Sequence, residues 1–301
     1  MKKILLLLCL IIFVPVSASF ANDKQNNNEQ PALFGEILDY AQLSESAYDS
    51  RDAVIRFAKE RDIELEMHEN LPGLNVTYFL LTDTKNKTHW IAIRGTVNVG
   101  NTLVNLDLQL VPNSDIGIHL HSGFAETAKE IFQRIKPKLK KDYAIKITGH
   151  SLGGAVASVL AIYLDFNKYP VTRVVTFGQP KVTNVTGALK FSHLDILRVA
   201  TERDFVPLLP PVDVVDINNI GIYWPLGQEI ILLDENRYSI AKGLDSMLRA
   251  TKFLNKQPDM QNLQQHQMAY YLQAIKSRQQ TAKWIPYKND FSMFSIFGDS
   301  Q

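Results

Sequence analysis

The residues whose types and spacing carry the most chemistry lie at 143–158, YAIKITGHSLGGAVAS. A β-branched run leads into Gly149-His150-Ser151-Leu152-Gly153, and a run of small, helix-compatible residues follows. Strand, tight turn and helix form the setting in which the serine of a G-x-S-x-G pattern is a nucleophile. On such a strained turn the hydroxyl projects above the sheet edge. The residues two before and two after it approach closely, and Gly149 and Gly153 bring no Cβ to clash. The helix that follows aims free N–H groups and the positive end of its dipole at the same point, where negative charge would develop. The N–H of Leu152 is the natural oxyanion donor.

A serine hydroxyl needs a base to take its proton, and the base needs an orienting carboxylate. Behind a strand–elbow–helix the chain order is Ser, acid, His. Of seven histidines only His193 and His266 follow Ser151. His193 precedes the strand expected at Leu197–Thr201 and leaves too little chain for an acid on a later strand, so His266 is the expected base. Tyr270, four residues on, is expected on the same helix face, where it would steady the ring or join the core. For the acid, Glu202 and Asp204 both follow the strand at Leu197–Thr201, and Phe205-Val206-Pro207-Leu208-Leu209-Pro210-Pro211 stiffens what comes next. Asp204 is preferred, because a shorter side chain on a rigid loop loses less freedom when fixed. Asp195 lies before the strand, at its wrong end. A second oxyanion donor belongs on a loop after an earlier strand. The run His89–Ile93 ends in Arg94-Gly95-Thr96, and Thr96 offers both an N–H and a hydroxyl.

These residues need a sheet with crossover helices to position them. Phe34 to Arg61 carries apolar residues at helical spacing and predicts one or two helices. Ile63–Met67, Val76–Leu81, His89–Ile93, Tyr143–Thr148, Val171–Phe177, Leu197–Thr201 and Glu229–Leu233 predict strands; 122–140, 152–165, 239–255 and 261–277 predict helices. From 143 on, strands alternate with helices, which predicts a parallel sheet. The strands before 94 are separated only by turns and are expected to pair antiparallel. The fold class is α/β, with a mostly parallel central sheet flanked by helices.

Together these segments resemble the class 3, fungal-type lipase family of α/β-hydrolases, over about residues 34 to 278. IAIRGT resembles its oxyanion segment, HSGF the opening of its next helix, GHSLGGA its nucleophile elbow and TFGQPKV its following strand and turn. RVATERDFVPLLPP resembles its acid loop, and the helix with His266 and Tyr270 its histidine segment. The resemblance implies Ser151 as nucleophile, Asp204 as acid, His266 as base, and Thr96 and Leu152 as oxyanion donors. It implies hydrolysis of carboxylic esters through an acyl-enzyme, with a lipid or other ester as partner and a membrane or lipid-droplet surface as a transient one. No metal or organic cofactor is implied. The sequence departs from the family around His266, whose neighbours Gln264, Gln265 and Gln267 differ from those usual there, and in two further places. Leu103-Val104-Asn105-Leu106-Asp107 lacks the tryptophan that often marks a lid, and Asn218-Asn219-Ile220-Gly221 lacks a histidine often found in that turn. The apolar stretch 97–111, whose only charge is Asp107, reads as a wall or lid for an acyl chain, or as an ordinary strand or core helix. A triacylglycerol-type lipase is the first reading. A phospholipase or short-chain esterase is the alternative, and a non-catalytic, membrane-binding relative is the rival from another class.

Composition sets the frame. The 301 residues carry 32 Lys+Arg against 31 Asp+Glu, and 46% are hydrophobic. That suffices to bury a core, and the near-neutral balance argues against a nucleic-acid-binding protein, because phosphate contacts need a basic surface. The first 21 residues, MKKILLLLCLIIFVPVSASFA, have two lysines, an 11-residue apolar run and small residues at the end. They read as a signal peptide cut after Ala21, with Ala18 as a second fit, and so as export to the periplasm or beyond. The run is too short to span a bilayer. The lone Cys9 lies within it, which leaves no cysteine for a disulfide after cleavage. Residues 22–33 read as a polar, disordered lead-in and 34–278 as the catalytic domain. The aromatic tail 279–301 is expected either to fold back on the domain or to anchor at an interface.

Overall fold

The β-branched runs assemble into one mixed sheet. The computed structural model describes residues 30–71, 76–95, 109–210, 222–249 and 259–288. Two helices lead, α1 (Gln30–Asp49) and α2 (Arg51–Glu60). The three strands β1 (Glu64–Leu71), β2 (Val76–Asp83) and β3 (Thr88–Arg94) pair antiparallel, as expected from their short connections. Next come β4 (Leu110–Asn113), β5 (Ile118–His121) and α3 (Ser122–Ile135), then β6 (Ala144–His150), α4 (Leu152–Phe166), β7 (Val171–Phe177), β8 (Thr183–Asn184), α5 (Val185–Lys190) and β9 (Ile196–Thr201). The chain continues through β10 (Tyr223–Trp224), β11 (Gln228–Leu232), β12 (Arg237–Ala241), α6 (Gly243–Leu248), α7 (Met260–His266), α8 (Met268–Lys276) and β13 (Lys283–Trp284). The main sheet runs β1-β2-β3-β6-β7-β9-β11-β12-β13. Its centre, β3-β6-β7-β9-β11, is parallel. A small antiparallel sheet, β10-β8-β5-β4, lies beside it.

Alternation along β2 sends Tyr78 and Leu80 to one side of the sheet, with α3 and α4, and Phe79 and Leu81 to the other, with α1 and α2. The α1 residues Phe34, Ile37 and Tyr40 pack with Val175 and Phe177 of β7 and with Tyr271 and Ile275 of α8. Helix α4 is buried from Leu152 through Leu164. A helix apolar all round must lie between layers, so the element that follows Ser151 is among the least free to move.

Three expectations are corrected, and a fourth falls only partly within the described residues. The first helix begins at Gln30, inside the expected lead-in, because Phe34, Ile37 and Ala41 dock its face on the sheet. The helix expected over 122–140 ends at Ile135 and passes into a 3-10 turn at Lys136-Pro137-Lys138, where proline removes a helical donor. Residues 239–241 are strand, not helix. Glu235 and Asn236 both take positive φ, 56° and 57°, and Arg237 N–H donates to Asp234 O at 3.1 Å. That is a two-residue hairpin turn, and it returns β12 antiparallel to β11. Of the apolar stretch 97–111, residues 97–108 lie outside the described residues, and Leu110 and Val111 are strand residues of the second sheet. Residues 1–29, with Cys9, and 289–301 also lie outside them. The start of the tail folds back: Lys283 and Trp284 pair with β12.

Beneath the sheet's C-terminal half, Arg198 and Arg249 share the Glu229 carboxylate, all three 3% exposed or less. Ser246 Oγ accepts from Arg198 at 2.6 Å and donates to Glu229 at 2.6 Å, and Arg249 also donates to Thr201 O at 3.3 Å. Buried charges persist only when paired in this way. The cluster ties β9 to β11 directly below the loop that carries the acid.

His89 is fully buried between Thr82 Oγ1, 2.9 Å from Nδ1, and the Lys140 N–H, which donates to Nε2 at 3.0 Å. Burial, then the charge of Lys140, pulls its pKa down to about 4. In the unfolded chain it titrates near 6.5. The folded state therefore binds fewer protons between these values. Its contribution is complete above the upper one and is lost as pH falls through the window, on the order of 3 kcal/mol. Urea midpoints should fall between about pH 7 and about pH 4.5, and His89→Gln should flatten that slope. An unchanged slope in the variant would remove His89 as its source.

Candidate active site

Strand β6 delivers Gly149 and His150 to a turn at which Ser151 takes φ 57° and ψ −129°. A residue with a Cβ is strained there. Its N–H is held by Phe177 O at 2.8 Å. The turn is possible because two glycines let backbone touch backbone. A Cβ on Gly149 would stand 2.5 Å from Gly153 O, and one on Gly153 would stand 2.6 Å from Gly95 N. The end of β3 is thus pressed against the first turn of α4, which Leu152 opens. The first-turn N–H groups of a helix lack intrahelical acceptors, and Leu152 N–H is one of these.

Helix α7 brings His266 to this point. It starts with a reciprocal cap: Asp259 Oδ1 accepts from Asn262 N at 2.9 Å, and Asn262 Oδ1 accepts from Asp259 N at 2.7 Å. Asn262 Nδ2 also donates to Arg203 O at 2.7 Å, and Arg203 N donates to Gln265 Oε1 at 3.1 Å, which fastens α7 to the loop after β9. The helix stops at His266 because Gln267 is extended, with φ −66° and ψ 138°. His266 Nε2 lies 2.9 Å from Ser151 Oγ, and Nδ1 lies 2.7 Å from Asp204 Oδ2. A carboxylate accepts, so Nδ1 carries the proton and Nε2 is free to accept from the serine. Ser151 and Asp204 are fully buried and His266 is 2% exposed.

Asp204 is over-determined. Oδ1 accepts from Val206 N at 2.9 Å, and Oδ2 accepts from the Tyr271 hydroxyl at 2.5 Å as well as from His266. Burial alone would raise its pKa. The charge of His266 and the three hydrogen bonds outweigh it and hold the carboxyl below its usual range. The same burial, with Asp204 beside it, drives Tyr271 well above the normal phenol range, so it stays a donor.

The expected residues Ser151, Asp204 and His266 meet, and Leu152 opens the helix beside them. Glu202, the other candidate acid, is exposed. His193 sits on the surface with Asp165, 3.1 Å away. Thr96 lies outside the described residues; Gly95, just before it, abuts the elbow. Tyr270 is corrected. The break at Gln267 ends the helix of His266, so Tyr270 does not share its face, and Tyr271 reaches the acid instead. Two further residues were not singled out from sequence. Gly178, with φ 58°, leaves room for the triad: a Cβ there would stand 2.8 Å from His266 Cε1 and 2.9 Å from Asp204 Oδ2. Lys181 is buried behind the acid loop and donates to Leu208 O and, at 2.7 Å, to Pro210 O. The strand-end glycine of TFGQPKV was the available signal for the first; nothing local marks the second.

A parallel-centred sheet with a strained serine at the C-terminal end of β6 and a His–Asp pair from later loops defines the α/β-hydrolase fold. Residues 90–214 match the model of the lipase (class 3) family, as the motifs implied. A secreted mono- and diacylglycerol lipase of Fusarium solani is 33% identical over 147 residues, covering 44% of this chain and 43% of the relative. A lipase of Rhizomucor miehei is 28% identical over 210 residues, covering 63% and 57%. The chain thus matches about half the length of these relatives. Among solved structures, the lipase from Rhizopus microsporus var. chinensis superposes with a TM-score of 0.58 at 22% identity, over 67% of this chain and 75% of that one.

Gly178→Ala should slow covalent labelling of Ser151 by a fluorophosphonate by about 100-fold, since small displacements of a base cost that much. The far-ultraviolet spectrum should be unchanged. Labelling at the wild-type rate would mean that the His266–Asp204 pair does not need the space Gly178 leaves.

Proposed function

We propose that this protein hydrolyses lipid esters by acyl transfer through Ser151, His266 and Asp204. The observation that carries the reading is the 2.9 Å and 2.7 Å pair of contacts that joins serine, imidazole and carboxylate at a strained elbow. His266 takes the Ser151 proton as Oγ attacks the ester carbonyl. Leu152 N–H and Thr96 meet the oxyanion; losing one such donor costs roughly 3–4 kcal/mol. Protonated His266 then gives its proton to the leaving alcohol, and water repeats the sequence to release the acid. Asp204 holds the ring and stabilises its charge throughout.

One feature favours an apolar acyl substrate. The α7 residues Met260 and Leu263 are 79% and 36% exposed on the helix that carries His266, three residues apart and so on one face. The Fusarium relative is a secreted mono- and diacylglycerol lipase, and glycerol esters are the substrate class we carry to this chain. We read residues 1–21 as an export signal and the catalytic unit as 34–278 extended to the strand at Trp284, with the product acting in the periplasm or outside the cell, at times on a lipid surface.

On p-nitrophenyl esters from acetate to palmitate, turnover should rise with chain length and vanish in Ser151→Ala. Turnover confined to acetate and butyrate would select a short-chain esterase. Equal inertness of both proteins would overturn the catalytic reading. The double variant Met260→Asp/Leu263→Asp should lose activity on emulsified long-chain glyceride while keeping wild-type turnover of soluble acetate ester. Retention of both activities would exclude this rim as the lipid-facing edge.

A further inference from the structure

His150, the residue before the nucleophile, is 3% exposed and makes no contact that the reaction just described uses. Its Nε2 lies 2.6 Å from the main-chain carbonyl of His266. Had α7 continued, that carbonyl would have accepted from the N–H of Tyr270, four residues on. The break at Gln267 prevents this, and Tyr270 N donates to Gln267 O instead, at 3.0 Å. The carbonyl of the base is therefore an orphan helix end, and a side chain from the elbow satisfies it. A carbonyl only accepts, so Nε2 carries the ring proton and Nδ1 presents a lone pair. Into that lone pair the Tyr48 hydroxyl of α1 donates, at 2.9 Å. The same hydroxyl lies against the end of β3, where a Cβ on Gly95 would stand 3.0 Å from Tyr48 Oη. Tyr48, His150 and His266 thus form one directed series of hydrogen bonds, in which His150 accepts at Nδ1 and donates at Nε2.

We propose that His150, in the tautomer that the His266 carbonyl requires and the Tyr48 hydroxyl satisfies, is a positioning residue for the base: it fixes the main chain of His266 and so the reach of its imidazole to Ser151. The inference rests on the catalytic role proposed for that pair. The relay works because it is neutral. Burial, and then the neighbouring His266, pulls His150 down to about 3, and burial drives Tyr48 up, so neither changes charge while His266 does. Without the Tyr48 hydroxyl, Nδ1 is left buried and unpaired. The alternative tautomer would turn the Nε2 lone pair against the His266 carbonyl, which breaks the anchor. Packing alone, with the two imidazole rings 4.7 Å apart, needs neither the hydroxyl nor the tautomer.

The test uses the full chain with Tyr48→Phe, His150→Leu and His150→Gln, where glutamine places an N–H near the former Nε2. With p-nitrophenyl butyrate, Tyr48→Phe and His150→Leu should lower kcat about 10- to 100-fold at unchanged KM, with a matching loss in fluorophosphonate labelling. His150→Gln should recover most of the rate. The low-field proton resonance of His266 Nδ1 bonded to Asp204 should be sharp in wild type and His150→Gln, and broadened or lost in His150→Leu. Wild-type kcat in Tyr48→Phe and His150→Leu would overturn the proposal. So would a glutamine variant as slow as the leucine one with losses that track Tm, since that is the behaviour of a packing residue. If the wild type hydrolyses no ester, the functional reading fails by itself, and the His266 proton resonance across the same variants still decides whether His150 positions the ring.

Discussion

Backbone contact without intervening side chains is the constraint on which this structure turns. The ends of β3 and β6 and the first turn of α4 meet so closely that Gly95, Gly149 and Gly153 each exclude a Cβ. Only that approach allows Ser151 its positive φ, and only a buried, all-round apolar α4 holds the turn closed. The strain is local and the restraint is global. The Phe177 carbonyl holds the Ser151 N–H from the next strand, and the parallel register of β3, β6 and β7 brings their ends level.

The rest of the site is built from loops that the sheet leaves at its C-terminal edge, and each is fastened by polar groups that would be costly if unpaired. The acid loop is gripped from below by Lys181 and from the side by α7 through Asn262 and Gln265. The carboxylate at its head accepts from a backbone N–H, a tyrosine and the base. Under it lies a cluster of two arginines on one glutamate, in which Arg249 also holds Thr201 O at the strand's end. Such an arrangement suits the proposed reaction, in which charge appears on His266 and disappears again, because the surrounding dipoles need not reorganise.

Much of this was legible in the residues. The elbow announced itself because strand, glycines and helix are contiguous, and the order of serine, acid and base left one histidine. The parallel centre followed from alternation of strand and helix. What was misread shares a cause. Residues 239–241, the start of the helix expected over 239–255, looked helical by spacing, but Glu235 and Asn236 in positive φ turned them into part of a hairpin strand. The helix over 261–277 looked continuous, but one extended residue at Gln267 split it and moved the useful tyrosine from 270 to 271. Single backbone rotations leave little trace in periodicity, yet they redirect every side chain beyond them.

The sequence by itself determined the candidate nucleophile, the order of its expected partners, the chemistry proposed for them and the α/β class, because these depend on neighbours along the chain. Only the tertiary structure decided which tyrosine braces Asp204, why residue 178 must be glycine, where Lys181 is spent and what His150 holds. The hydrogen bonds of Tyr271, Lys181 and His150 join residues 67, 29 and 116 positions apart. Their geometry comes from how strands and helices dock, and a linear pattern encodes the docking faces without encoding which atoms then come within hydrogen-bond reach.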